Sequence, residues 1–285
     1  MWKTKISPIC SVEDLILKVT ETANNKDYRK RFKESIPNFK HNSDLYQTYA
    51  NEGRLTDLQY SSDFRDYQVT DDEIYNLYDY GFHGRTPGRE MYQEYVKKSK
   101  NIDSCPFCLN PMRKPELDHF LPRSKFKKFS MEPWNLVPSC KDCNGIKLDH
   151  WSEYPYIELF NPYFTYEMGD WLSAKLVKEN GFYVVVYYID ESFPNPKIRH
   201  RIDYHFNLFK LNEYYSMKAS MEIPSICDRL NQKQSFDERK SYLLNERKLE
   251  ISRNSNSWKG LLYQELAYSN EFCKSGYKIY LPQNQ

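Results

Sequence analysis

Cys105, Cys108, Cys140 and Cys143 form two Cys-x-x-Cys pairs separated by 31 residues, and no other feature constrains the fold of this chain as strongly. Two thiolate pairs at that spacing satisfy the tetrahedral coordination of Zn²⁺. Each pair lies in turn-prone sequence, "SCPFCLNP" and "PSCKDCNG", where the backbone can bend the thiols toward one point. Apparent binding energies for structural zinc are on the order of 10 kcal/mol, enough to decide whether the closed segment folds. Four sulfur ligands leave no open coordination position, so this zinc is expected to be structural. Any chemistry must then come from the residues that it encloses.

The remaining cysteines, Cys10, Cys227 and Cys273, are isolated, so the seven do not form a disulfide framework. The paired spacing is that of metal ligation in a reducing compartment. With 285 residues, 40% apolar and 28% charged, the chain suits one large globular domain or two small ones. No apolar run approaches the roughly 20 residues that span a bilayer. The N-terminus mixes charge with apolar residues where a secretory signal would be continuously apolar. The expected setting is the cytoplasm, with no membrane partner.

A net charge of +2 says little about partners, but the charges cluster. Arg123, Lys125, Lys127 and Lys128 crowd into "RSKFKK", and Lys197, Arg199 and Arg201 into "PKIRHR". Such runs are commonly solvated surface; both also suit phosphate contact. Aromatic residues make up 16% of the chain, with 25 Tyr, and are read as packing.

The pattern divides into three stretches and an α+β class. Residues 1–100 read as mainly helical. One helix opens at a Ser11-x-x-Asp14 capping box with Val12, Leu15, Ile16 and Val19 at helical spacing. A second opens at Thr70 and stops at Gly81, and a third begins near Pro87. Residues 101–165 hold the motifs. Residues 166–285 begin with a hairpin turning at Asn180-Gly181 and continue as helices, with Phe206, Phe209, Leu211 and Tyr215 on one stripe. His41, His83, His200 and His205 are read as packing or surface, and "GFHGRTPG" (81–88) as a plain loop.

Between the cysteine pairs, Asp118 supplies a hard oxygen anion and His119 a base titrating near neutrality. Asn144, at the start of an expected helix, offers an amide oxygen. A carboxylate with an amide oxygen is a sparse oxygen site suited to Mg²⁺ or Mn²⁺, which keep waters and accept phosphate oxygens. A base beside it can deprotonate an attacking water.

The Asp118-His119-x-x-Pro122 opening, Asn135-Leu136 and Cys140-x-x-Cys143-Asn144-x-x-Lys147 together resemble the HNH endonucleases over roughly residues 101–165. The resemblance implies a ββα-metal core with its four-cysteine zinc site embedded between the helical N- and C-terminal regions. Strand one would end at Asp118-His119, strand two would hold residues 135–137, and the helix would begin near Cys143. His119 would be the general base, Asp118 and Asn144 ligands of a catalytic Mg²⁺ or Mn²⁺, and Asn135 the residue that ties down the loop and orients the base. Many family members carry His at the position of Asn144, and the weaker amide ligand favours Mg²⁺ or Mn²⁺ over zinc there. Lys147 matches a motif lysine that contacts phosphate or simply lies on the helix surface. The substrate implied is nucleic acid, DNA ahead of RNA, with Arg123, Lys125, Lys127, Lys128 and Lys147 as contacts. Small HNH proteins with helical flanks include restriction enzymes and nuclease subunits that work beside an ATPase in anti-phage systems such as Septu, so an ATPase partner is a further expectation.

Adjacent strand residues point to opposite faces, so Asp118 and His119 can serve one phosphate only where the strand ends, bulges or twists. Pro122 favours such a break. The chief alternative is a non-catalytic zinc-ribbon binding module, which leaves Asp118, His119, Asn135 and Asn144 without a role. A zinc deaminase needs His-x-Glu and Pro-Cys-x-x-Cys, and a zinc protease His-Glu-x-x-His; the chain has neither.

Overall fold

The computed structural model describes residues 7–84, 86–99, 104–112, 115–152, 154, 158–164 and 168–282. The expected boundaries at residues 100 and 166 themselves fall outside them. The class is α+β: helices dominate, and the described strands form two separate two-stranded antiparallel sheets. No described helix is long and apolar enough to cross a membrane.

The chain divides into two compact units, residues 2–166 and 167–285. The first joins the two stretches that the sequence pattern separates at residue 100, because they share one core. Helix α1 (Val12–Thr20) starts at the Ser11 box, with Asp14 N–H donating to Ser11 Oγ at 3.1 Å. Its buried Val12, Leu15, Ile16 and Val19 pack in a cluster that takes Phe32 from α2 (Lys26–Glu34), Phe39 from α3 (Ile36–Asn51) and Tyr95 from α5 (Gly88–Ser99). Leu117, Met131 and Leu136 of the motif stretch belong to the same cluster.

Helix α4 (Asp71–Asn76) opens at the expected Thr70 cap, which the structure completes as a capping box with Glu73, but Gly81 does not stop it. The chain continues through Gly81 as a π-helical turn, Leu77–His83, so the start of "GFHGRTPG" is not a plain loop. Glycine serves close packing here: a Cβ on Gly81 would fall 2.5 Å from Val19 Cγ1, and one on Gly88 would overlap the Gly81 carbonyl.

Strands β1 (Glu116–His119) and β2 (Leu136–Ser139) pair antiparallel, with Asp118 opposite Val137 and His119 opposite Leu136. Asn135 precedes β2, in a 3₁₀ turn (Pro133–Asn135), and does not open the strand. Helix α6 (Lys141–Lys147) follows directly, its N-terminus capped by Cys140, whose Sγ accepts from Cys143 N–H at 3.4 Å.

In the second unit β3 (Leu172–Glu179) and β4 (Phe182–Ile189) form the expected hairpin. Asn180 (φ 51°) and Gly181 (φ 85°) both take the left-handed conformation that a two-residue turn matched to strand twist requires. Phe206, Phe209, Leu211 and Tyr215 are all buried, yet the stripe spans two helices, α7 (Pro196–Leu208) and α8 (Leu211–Asn231), broken at Lys210 (φ 49°). Arg201 is buried, which removes it as a phosphate contact, and Arg199 bonds the Glu191 carbonyl at 2.7 Å. Helices α9 (Phe236–Arg253), α10 (Trp258–Tyr268) and α11 (Asn270–Lys274) complete the unit.

Candidate metal centre and catalytic groove

All four Sγ atoms of Cys105, Cys108, Cys140 and Cys143 lie within 4.8 Å of one another. A tetrahedron with metal–sulfur bonds of ~2.3 Å has edges of about 3.8 Å, and Cys108 and Cys140 stand 3.8 Å apart. Backbone N–H groups already point at the sulfurs: Cys140 N–H donates to Cys105 Sγ at 3.4 Å. The three neighbouring thiols push the Cys140 thiol far down and the Cys143 thiol far up. Sulfurs this close cannot all ionise unless a cation joins them. The four cysteines can therefore hold a metal ion such as zinc, and three of them are buried.

Strand β1, helix α6 with the residues that follow it, and Tyr78 of the π-helical turn border an open groove of about 380 Å³. Tyr78, Glu116, Asp118, His119, Arg123 and Asn144 are among its walls. The geometric difficulty of adjacent Asp118 and His119 resolves at the strand end. His119 is the last residue of β1 and the chain bends at Phe120, so both side chains border the groove although both are nearly buried.

His119 is held from two sides. Its Nε2 lies 3.0 Å from the Ser130 carbonyl, and its ring meets the Tyr78 ring at 4.4 Å between centroids, edge to face. A carbonyl only accepts, so Nε2 carries the proton and Nδ1 is left as the basic nitrogen. Burial pushes the imidazole down to about 3, with Arg123 and Lys147 adding to the effect and the Ser130 carbonyl opposing it. The ring is neutral at pH 7, the state a general base needs. A phosphodiester in the groove adds negative charge, which raises its basicity.

Asp118 is raised to about 6 by burial, opposed by the Lys147 ammonium. Lys147 Nζ lies 3.3 Å from both carboxylate oxygens, longer than a good charge-assisted bond. Oδ2 is buried and, the Lys147 ion pair apart, accepts no hydrogen bond among the described residues. A groove-lining carboxylate with one oxygen that no hydrogen bond satisfies can take a second cation beside the Lys147 ammonium. Asn144 donates through Nδ2 to Glu116 Oε2 at 2.8 Å, which leaves its amide oxygen unbonded among the described residues. Glu116, Asp118 and Asn144 thus make an oxygen-rich, hard-ligand set.

Asn135 is fully buried and knots the connection between the strands. It accepts from Leu121 N–H (2.7 Å) and Tyr46 O–H (3.0 Å), and donates to the carbonyls of Leu121 and Phe129 (both 3.1 Å). Phe129 immediately precedes Ser130, whose carbonyl holds His119, so Asn135 acts on the His119 ring through one peptide.

The basic residues separate. Arg123 borders the groove, pairs with Asp79 at 2.9 Å and lies over the rings of Tyr75 and Tyr78. Lys127 pairs with Asp72 (2.6 Å) and Lys128 with Asp66 (3.4 Å). Lys125 is exposed, its ammonium 5.5 Å from the Trp151 ring centroid. Lys147 is 0% exposed, with its ammonium 2.7 Å from the His119 carbonyl. It is neither a helix-surface lysine nor placed to touch phosphate, a correction to both sequence readings.

Glu116, Tyr78, Lys141 and Asp149 also line the groove and were not anticipated. Glu116 had a signal: it sits two residues before Asp118, so strand alternation puts both carboxylates on one face. Tyr78 had none, since it arrives from a distant helix.

No protein-family model matches the chain, and no solved structure matches it. Protein ea31 of Escherichia phage lambda is similar to it, 23% identical over 294 residues that cover 94% of this chain and 97% of that protein. The likeness therefore runs through both compact units and is not confined to the cysteine-bounded segment.

Proposed function

We propose that the first unit is a metal-dependent HNH-type endonuclease that hydrolyses phosphodiester bonds, with DNA as the preferred substrate. The observation that carries this reading is the convergence on one groove of His119, its Nδ1 freed by the Ser130 bond, with Asp118 and Asn144. In this reading the cysteines hold structural zinc, and β1, β2 and α6 are the ββα core. Asp118 and Asn144, with Glu116 beside them, hold Mg²⁺ or Mn²⁺. A bound divalent ion supplies Lewis-acid stabilisation of the charge that grows on the phosphate. His119 Nδ1 takes a proton from water as the water oxygen attacks phosphorus and the bond to the leaving sugar oxygen breaks. Arg123, fixed by Asp79 and Tyr78, faces the scissile phosphate; Lys141 and Lys125 extend the positive border.

A specific observation also favours the non-catalytic zinc module: Asp118 already has a buried cation partner in Lys147. The two readings separate in one assay. Purified full chain on supercoiled plasmid, linear duplex and transfer RNA, with and without Mg²⁺ or Mn²⁺, should nick or linearise the plasmid only with metal. Absence of cleavage of all three in either metal, from zinc-loaded folded protein, would leave the binding module. The ATPase partner and the phage-defence setting rest on the family resemblance; copurification of an ATPase from the native host is their test.

A further inference from the structure

Helix α6 buries an unexpected residue. Cys143 and Lys147, one turn apart, face inward, while Ile146 (38% exposed) and Leu148 (65%), the residue that ends the helix, face out. A helix that buries a lysine beside two exposed aliphatic side chains is not maximising apolar burial. The ammonium is expensive to bury and must be paired. Its described partners are Asp118 Oδ1 and Oδ2, each at 3.3 Å, and the His119 carbonyl at 2.7 Å. One cation thus touches the two consecutive residues on which the nuclease reading depends.

We infer that Lys147 is a positioning residue of this site: it fixes the Asp118 carboxylate relative to the His119 peptide and, as a cation beside a metal-facing carboxylate, weakens the resting affinity for the divalent ion. The inference rests on the proposed nuclease site. Neutral or anionic partners of a metal ligand strengthen its hold on the metal, and losing them usually costs roughly 10- to 100-fold in affinity or activity. A cationic partner acts with the opposite sign on affinity, because it repels the incoming ion. Loss of the charge should therefore tighten metal binding while loosening the geometry of the base. That opposition separates a positioning cation from a purely structural one, which would change neither, and from a phosphate contact.

The test uses zinc-loaded full chain at pH 8, with Mn²⁺ binding followed by electron paramagnetic resonance and cleavage by single turnover. Lys147→Met should bind Mn²⁺ at least about tenfold more tightly and cleave at least about tenfold more slowly at saturating Mn²⁺. Its affinity for DNA without metal should be unchanged. Unchanged or weaker Mn²⁺ binding, or a metal-free loss of DNA affinity, would overturn the inference. If Lys147→Met does not fold, Lys147→Arg keeps the charge. It should hold Mn²⁺ within about threefold of the wild type yet cleave more slowly, because a guanidinium cannot take both contacts. An Arg variant that cleaves at the wild-type rate would equally overturn it. If the wild-type chain binds Mn²⁺ but cuts nothing, the nuclease reading fails, while the binding comparison still decides the charge effect of Lys147.

Discussion

The two hairpins of this protein are built on opposite plans. β3–β4 pairs eight residues with eight and turns in two, Asn180 and Gly181, each in the left-handed conformation such a turn requires. β1–β2 pairs four with four and is connected by residues 120–135, a long excursion held by side chains rather than by turn geometry. The first plan buries apolar residues such as Tyr183, Val185 and Tyr187. The second buries Asp118, His119, Asn135 and Ser139, and closes with Lys147 from the next helix. The buried polar side chains lie where the backbone needs outside support, and the cysteine cluster and Asn135 supply that support. Removing the supports should therefore damage β1–β2 and spare β3–β4.

The largest effect should come from the cysteines. Stripping metal with a strong chelator, or Cys140→Ser, removes an interaction on the order of 10 kcal/mol. Hydrogen exchange across residues 116–147 should lose its protection while residues 172–189 keep theirs. Metal analysis should return about one zinc per chain before treatment. Equal loss in both hairpins would show that the cysteines do not stabilise β1–β2 selectively.

Asn135→Ala comes next. It leaves the Leu121 N–H, the Leu121 and Phe129 carbonyls and the Tyr46 hydroxyl each short of a bond in a buried place. At about 1–3 kcal/mol for an unsatisfied group, with relaxation, a loss of roughly 3–5 kcal/mol is expected in denaturant titration. Cleavage should fall too, since the Ser130 carbonyl that orients His119 is no longer fixed. A loss below about 1 kcal/mol would mean that the loop holds itself.

Glu132 tests the same loop through pH. Burial raises its carboxyl from the ordinary 4.5 to about 7, against the bonds from Trp134 N–H and Ser43 Oγ. Between these values the unfolded chain has released the proton and the folded chain retains it. The stabilising contribution is thus complete below pH ~4.5 and is lost as pH rises to ~7. Glu132→Gln, which stays neutral, should remove this pH dependence and gain up to about 3 kcal/mol at pH 8 relative to wild type. A wild-type stability profile that is flat or rising from pH 4.5 to 7, with no flattening in the Gln variant, would contradict a carboxyl kept protonated by the fold.

The smallest effect belongs to the other hairpin. A Cβ on Gly181 meets no atom within 4 Å, so Gly181→Ala costs only the strain of φ 85°. That is about 1 kcal/mol, seen as a modest fall in melting temperature with cleavage unchanged. A fall as large as that of Asn135→Ala would erase the distinction between the hairpins.

The same contrast explains what could be read from sequence. The Ser11 capping box, the Thr70 cap, the Asn180-Gly181 turn and the Cys-x-x-Cys pairs are local patterns whose members lie within a few residues. Asp118, His119 and Asn144 were legible as side-chain chemistry, and they border one groove. The supports were not legible. Tyr46 reaches Asn135 across 89 residues, Lys127 meets Asp72 across 55, and Tyr78 meets His119 from the π-helical turn. Lys147 looked exposed because a charged residue on a short helix is ordinarily solvated. Its burial is decided by Asp118 and the His119 carbonyl, and nothing adjacent to it announces that. Gly81 read as a helix stop because glycine's local preference is visible and its closeness to Val19 is not.

The proposed role of His119 as the base of a metal-dependent nuclease stands or falls with single-turnover cleavage of supercoiled DNA by zinc-loaded His119→Ala in saturating Mn²⁺. Zinc content and Mn²⁺ binding should be unchanged and the rate lower by at least the roughly 10²- to 10⁴-fold that a general base contributes. A His119→Ala variant that cuts as fast as the wild type would contradict that role, whatever the cysteines hold.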